Sequence, residues 1–175
     1  RYSQLNKAYW ERLERREITK PELLVRRFQD FFGAEGLSVD AAAFNAAYQT
    51  RLGETSIPRD DSVALVASLR GRVRQYVVSN GTVQAQTAKL RRSGLDRLMD
   101  GISAEKPDIA FFDVVFAAIG PVAKEEVLIV GDSLTSDIQG GRNAGIQTCW
   151  YAPAGGESPL PHHTIRDLHQ VLALL

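Results

Sequence analysis

Two aspartates follow one strongly apolar stretch of the sequence. Residues 127–130 read Val-Leu-Ile-Val without alternation, which predicts a strand buried on both faces of a parallel sheet. Gly131 and Asp132 come directly after it, and Asp137 lies five positions beyond Asp132. Open α/β sheets bind ligands at the carboxyl ends of their strands, and hard divalent cations prefer oxygen ligands, so Asp132 is a candidate metal ligand. The alternative is that Asp132 only caps the helix that follows.

Polar and charged residues also lie at two other predicted junctions. A β-rich run ends at Ser79, which Asn80 and Gly81 follow, and Lys106 precedes a predicted helix. The Ser79 hydroxyl and the amides of Asn80 and Gly81 are suited to bind an anion at a helix N-terminus. Lys106 adds a positive charge suited to phosphate. Together with Asp132, these residues predict a site that binds a phosphate group and a metal ion.

The composition limits the classes of partner. The chain has 175 residues with 21 basic and 21 acidic side chains, so no overall charge favours a nucleic acid polymer or an anionic membrane. No apolar run is long enough to span a bilayer. The single cysteine, Cys149, cannot form an internal disulfide, which favours a reducing compartment and predicts a cytoplasmic protein.

The first third of the chain is predicted to be all-helical. Apolar residues recur at helical spacing over residues 2–16, 19–33 and 40–52. Thr19 and Glu22 have the spacing of a capping box. The aromatic residues are expected to pack helix against helix, and the Arg26–Arg27 pair to lie on a solvated face.

From Val73 onward the pattern alternates between strand and helix. Helices are predicted over 83–93, 107–119 and from Asp137 to Asn143. One strand is predicted to end at Ser79, two others to span 127–130 and 146–150, and a loop to cover 152–163. This order predicts a parallel sheet with right-handed crossovers, closed by a terminal helix that Asp167 caps. Since the strand expected near Ile102 has little room before Lys106, a gap or an unusually short loop is predicted near Ser103–Ala104.

In this order, the motifs resemble those of a known family. Val77-Val78-Ser79-Asn80-Gly81-Thr82, Ala104-Glu105-Lys106-Pro107 and Val130-Gly131-Asp132-Ser133-Leu134-Thr135-Ser136-Asp137 are similar to the second, third and fourth motifs of the haloacid dehalogenase-like (HAD) hydrolase superfamily. The chain looks most like the bacterial pyrimidine 5′-nucleotidase type. The resemblance implies a Rossmann-like parallel sheet with helices on both faces, and an all-helical cap domain. It assigns residues 1–56 to a partial cap and 57–175 to the core.

The resemblance also implies a mechanism. An aspartate attacks phosphorus, and water then hydrolyses the aspartyl-phosphate. Mg²⁺, held in part by Asp132, neutralises the phosphoryl oxygens. Ser79, Asn80 and Gly81 hold the phosphate. Lys106 compensates charge on the nucleophile and the phosphate, and Asp137 orients Lys106 or a metal-bound water. The substrate class is a small phosphorylated metabolite such as a nucleoside 5′-monophosphate.

One family motif is absent. No Asp-x-Asp pair occurs before Ser79, although the family places its nucleophile there, at the end of a central first strand. Deleting a central strand would leave two rows of buried backbone groups unpaired, each costing about 1–3 kcal/mol. We therefore expect the strand and its nucleophile to lie outside these residues, and the 175 residues alone to be inactive.

Two other functions remain open from the sequence. The chain could be a phosphate- or nucleotide-binding protein that lacks the nucleophile, or a receiver-like signalling module. The helical opening and the Lys106-Pro107 junction argue against the receiver-like module. His162, His163 and His169 lack ligand spacing and are expected at the surface, and Cys149 is expected to be a buried hydrophobe. The sequence predicts neither the exact substrate nor the oligomeric state.

Overall fold

The chain forms two compact units, Arg1–Thr55 and Ser56–Leu175. A computed structural model describes residues 1–59, 61–104 and 111–175. The first unit contains α1 (Tyr2–Glu14), α2 (Lys20–Ala34) and α3 (Ala41–Glu54). In the described part of the chain, no helix combines the length and apolar character needed to cross a membrane.

Side-chain caps set the starts of α2 and α3. The predicted capping box is present, with the Thr19 amide donating to Glu22 Oε2 at 2.9 Å and the Glu22 amide to Thr19 Oγ1 at 3.5 Å. Asp40 accepts hydrogen bonds from the amides of Ala42 and Ala43. These bonds satisfy backbone donors that have no partner within a helix.

An aromatic cluster joins the three helices. Phe28 is stacked on Tyr2 at 5.4 Å between ring centroids and meets Phe44 and Tyr48 edge-on at 4.8 and 5.2 Å. The predicted helix-on-helix role of the aromatics is therefore confirmed. The prediction for Arg27 is wrong: its side chain is buried against the Phe28 ring instead of lying on a solvated face.

The second unit alternates helices and parallel strands. Its strands are β1 (Tyr76–Ser79), β2 (Gly101–Ala104), β3 (Leu128–Gly131), β4 (Gln147–Tyr151) and β5 (His163–Ile165). Its helices are α4 (Ser62–Leu69), α5 (Val83–Ser93), α6 (Phe111–Ile119) and α7 (Gly140–Ala144). Turns of 3₁₀ helix span Leu95–Arg97, Lys124–Glu126 and Leu168–Leu174, and a π-helical stretch, Leu134–Gln139, leads into α7.

Two parallel sheets make up this unit. β1 pairs with β2, and β3, β4 and β5 pair in that order. Within the described ranges, β1 has no strand partner other than β2, and β3 has none other than β4. A largely apolar cavity of about 460 Å³ is lined by residues of both β1 and β3, among them Val78, Ile129 and Val130.

Three sequence predictions need correction. The strand thought to lack room near Ser103–Ala104 is present as β2, in register with β1 from Tyr76↔Gly101 to Ser79↔Ala104. The predicted loop at 152–163 is followed by a short edge strand, β5, that the sequence did not indicate. The terminal segment that Asp167 caps is a 3₁₀ helix, because its bonds close tighter turns than those of an α-helix.

Candidate active site at the strand ends

The turn after β3 is held together by Asp137. Its carboxylate is buried and accepts a hydrogen bond from the Ser133 amide at 3.0 Å. The same carboxylate lies directly against the α-carbon of Gly131, where any side chain would collide with it. Glycine at 131 and aspartate at 137 are therefore complementary within the turn that follows β3.

Ser133, and not Asp132, caps the π-helical stretch. The Ser133 hydroxyl accepts a hydrogen bond from the Ser136 amide at 3.1 Å. The cap alternative for Asp132 is therefore excluded: its side chain is exposed and forms no hydrogen bond or ion pair with any described residue. Its backbone carbonyl is fixed by Trp150, whose Nε1 donates to it at 3.0 Å. Among the described residues the carboxylate therefore has no partner, and the backbone that carries it is held in place.

The turn after β1 is built from short polar contacts. The Gly81 amide donates to the Ser79 hydroxyl at 3.1 Å. Thr82 caps α5 by accepting a hydrogen bond from the Ala85 amide at 3.4 Å. The Gly81 amide predicted to face an anion is therefore bonded to Ser79 in this state. Ser79 stands at the last position of β1, as predicted.

A hydrogen bond brings the two turns together. Asn80 Nδ2 donates to the Ser136 hydroxyl at 3.4 Å, which joins the end of β1 to the helix after β3. The Asn80 side-chain oxygen is buried and has no hydrogen-bond partner among the described residues. The structure thus places the Ser79–Thr82 turn next to the Asp132–Asp137 turn. Lys106 and Pro107 lie outside the described residues.

The oxygen ligand that the described residues offer at this site is of the type that Mg²⁺ prefers, but few such ligands are present. Mg²⁺ keeps several waters and takes one or two carboxylates together with substrate phosphate oxygens. Asp132 offers one such carboxylate. Within residues 1–59, 61–104 and 111–175, no group of three or more His, Cys, Asp or Glu side chains is placed to hold a metal ion.

The cysteine and the three histidines are placed as predicted, the cysteine in the interior and the histidines at the surface. Cys149 is fully buried on β4, and burial raises the pKa of its thiol to about 11, so it remains a neutral hydrophobe. His162, His163 and His169 are exposed. His162 Nδ1 lies 2.9 Å from the hydroxyl of the buried Thr148, which ties the loop before β5 to β4.

The sequence of this chain is similar to those of known proteins. The haloacid dehalogenase-like hydrolase family matches residues 3–145. The chain belongs to this family. It is 36% identical over 159 residues to the pyrimidine 5′-nucleotidase PynA of Streptococcus pneumoniae, a match covering 87% of this chain and 67% of that protein. It is 32% identical to the pyrimidine 5′-nucleotidase YjjG of Escherichia coli, covering 99% and 80%.

A solved structure agrees with the fold. The HAD-hydrolase YfnB of Bacillus subtilis, described as bound to magnesium, superposes with a TM-score of 0.92 at 31% identity, covering 99% of this chain and 79% of that one. The predicted superfamily and fold class are therefore confirmed. Members of this family with nucleotidase names support a hydrolase.

The sequence did not reveal the supporting contacts of the site. Ser133 as the cap, the Asn80–Ser136 contact and the Trp150 bond to the Asp132 carbonyl were all missed. Ser133 has the residue type and position of an N-cap, so that signal was available. The other two contacts join residues 56 and 18 positions apart, and no local pattern encodes them.

Proposed function

We propose that this chain is part of a Mg²⁺-dependent phosphatase of the HAD type that hydrolyses a small phosphomonoester, a pyrimidine nucleoside 5′-monophosphate. The observation that carries the proposal is the free Asp132 carboxylate at the end of β3, beside a turn that presents Ser79. Two relatives, of which the match covers 67% and 80%, are named pyrimidine 5′-nucleotidases, which supports the choice of substrate.

Each residue has a distinct role in this proposal. Asp132 holds the metal ion, which when bound supplies positive charge to the phosphoryl oxygens. Ser79, Asn80 and Gly81 bind the phosphate, with the Gly81 amide exchanging its Ser79 bond for a phosphate oxygen. Asp137 keeps the turn in shape through the Ser133 amide.

Two further parts of the mechanism rest on the family resemblance. Lys106 compensates the negative charge of the nucleophile and phosphate. The nucleophile is an aspartate outside the 175 residues, so these residues alone should be inactive. The protein that contains this chain is proposed to work in the cytoplasm, without a nucleic acid polymer or membrane as partner.

The test is phosphate release by the full-length protein. We expect release from uridine and thymidine monophosphates with Mg²⁺, loss of release after chelation, and recovery when Mg²⁺ is restored. The chain of 175 residues, purified alone, is the matched control and should release none. Failure of the full-length protein to release phosphate from any nucleoside monophosphate would contradict the proposal.

A second candidate is a phosphate-binding protein without a nucleophile. It is favoured by the absence of an Asp-x-Asp pair before Ser79. Measuring the intact mass of the protein from its own organism separates the two. A mass of 19.3 kDa together with nucleotide binding but no turnover would establish the second candidate.

A further inference from the structure

The helical unit buries a positive charge that no acidic side chain balances. Arg27 is only 3% exposed, yet it forms no ion pair with any described residue. Its Nη1 donates to the side-chain oxygen of Asn6 at 2.8 Å, and its Nη2 reaches that of Asn45 at 3.5 Å, the outer limit for a hydrogen bond. Both partners are neutral amides. Since arginine cannot lose its proton in proteins, the charge persists in the interior.

One edge of the guanidinium is free to bind. Nε is buried and has no hydrogen-bond partner among the described residues, and Nη2 has only the long contact with Asn45. Nε and one Nη of a guanidinium form a planar fork that matches the two oxygens of a carboxylate. A buried donor left in this state is costly, so its retention calls for a ligand.

Aromatic rings and a hydroxyl surround this edge. The guanidinium carbon lies 4.6 Å from the centroid of the Phe28 ring and 5.3 Å from that of Tyr48. The Tyr2 hydroxyl is buried and also has no hydrogen-bond partner among the described residues. Burial raises the pKa of Tyr2 to about 12, against the opposing effect of Arg27 and with a smaller contribution from the nearby Tyr48 hydroxyl, so the Tyr2 hydroxyl keeps its proton.

We propose that Arg27 and Tyr2 form an oxyanion-recognition site of the helical unit, which takes a planar carboxylate on a flat ring. The fork of Arg27 binds the two oxygens, the Tyr2 hydroxyl donates to one of them, and the ring lies against the neighbouring aromatic side chains. Tyr2, Asn45 and Tyr48 are each partly exposed, so rotation of these side chains gives access.

Benzoate is the probe, because it is a planar carboxylate without phosphate and leaves the proposed phosphatase reaction out of the measurement. The arginine Nε–H signals of the whole protein are followed by nuclear magnetic resonance during titration with benzoate, and with chloride at equal ionic strength. We expect one signal, identified by its absence in Arg27→Met, to move with benzoate in a saturable manner and not with chloride.

Variants separate recognition from a purely structural role. Tyr2→Phe keeps the ring stacked on Phe28 but removes one donor, so benzoate should bind about tenfold more weakly. Arg27→Lys keeps the charge without the fork. Because it also removes the Arg27 signal, benzoate binding to this variant is measured by isothermal titration calorimetry and should be lost. Arg26→Met is the matched control, because Arg26 is exposed and forms its ion pair, within the described residues, with Glu22 alone. This variant should bind benzoate as the parent does.

Several results would overturn the proposal. They are an Arg27 signal that does not respond to benzoate, an equal response to chloride, or unchanged affinity in Tyr2→Phe. If Arg27→Met does not fold, the absence of the signal in Arg27→Lys identifies it and the Tyr2→Phe titration decides the matter, because neither variant removes the positive charge from the helical unit.

Discussion

The turns after β1 and β3 both lead from a strand into a helix, but their polar side chains are used differently. After β1, the Ser79 hydroxyl is bonded to the Gly81 amide, and Thr82 caps α5. After β3, Ser133 supplies the cap and Asp137 the buried carboxylate. Asp132 is exposed and has no bonding partner among the described residues. The comparison separates polar side chains that build a turn from the one that is available to a ligand.

This difference has an energetic basis. A buried carboxylate that accepts a hydrogen bond from an amide stabilises the turn, and its removal leaves a buried donor unsatisfied. An exposed carboxylate with no partner contributes little to folding. Asp137 should therefore matter to stability and Asp132 to chemistry, and substitutions in the two positions test this assignment.

Asp132→Asn should have the largest effect, on turnover. If Asp132 holds Mg²⁺, loss of its charge removes several kcal/mol of charge stabilisation, so turnover by the full-length enzyme should fall by at least about a hundredfold. The free energy of unfolding should change by less than about 0.5 kcal/mol, because the side chain is exposed. Steady-state kinetics and urea denaturation measure the two. Glu157→Gln, in an exposed loop, is the control; unchanged turnover in Asp132→Asn would remove it from the metal site.

Asp137→Ala should reverse that pattern of effects. The substitution leaves the Ser133 amide without its acceptor and opens a space beneath Gly131, so the free energy of unfolding should fall by about 2–3 kcal/mol. Urea denaturation of Asp137→Ala and Asp132→Ala side by side measures the contrast. Equal losses in the two variants would contradict the assignment of distinct roles.

Gly131→Ala should also destabilise the turn after β3, because it changes the residue that contacts the Asp137 carboxylate. An added methyl group would collide with the Asp137 carboxylate, and the displacement should cost about 1–3 kcal/mol. In the Asp137→Ala background the added methyl group should cost much less, because the colliding atoms are gone. A double-mutant cycle of thermal unfolding checks this, and strictly additive effects would show that the two residues are not coupled. Gly33→Ala is the control for the steric cost, since no atom beyond the neighbouring residues and the backbone of its own helix lies within 4 Å of its added Cβ.

Trp150→Phe should give the smallest effect. It tests whether the hydrogen bond to the Asp132 carbonyl positions the Asp132 side chain. Phenylalanine keeps an aromatic ring but cannot donate to the Asp132 carbonyl. If Asp132 holds Mg²⁺ as proposed, the Mg²⁺ affinity, measured by titration of thermal stability, should fall by about tenfold, the lower range for a residue that orients a metal ligand. Trp10→Phe, in the helical unit, should leave the affinity unchanged. An unaltered affinity in Trp150→Phe would show that the bond does not position Asp132.

Local sequence patterns predicted most helices and strands, because the structure of these elements depends on residues that are close in the sequence. The capping box at Thr19 and the unalternating apolar run before Gly131 each encode their structure within a few positions. The short strand β5 was missed, since three residues at a sheet edge carry too little periodicity. The helix after Asp167 was predicted, but its 3₁₀ type was not.

The sequence located the candidate site but not its internal bonds. Ser79 and Asp132 were placed correctly at strand ends, because a polar residue that ends an apolar strand is visible in the sequence. Burial of Arg27 was predicted wrongly, since an arginine on an amphipathic helix is normally solvated, and its contacts come from Asn6 and Asn45 on other helices. Lys106 stays a prediction.

The cavity beside β1 and β3 has a consequence for handling the chain. In the described residues both strands present backbone amides and carbonyls along one side that no other strand covers, next to apolar side chains. Such edges act as templates for intermolecular pairing. The isolated chain should therefore self-associate as its concentration rises, and an extended peptide that fits between the two edges should suppress this aggregation.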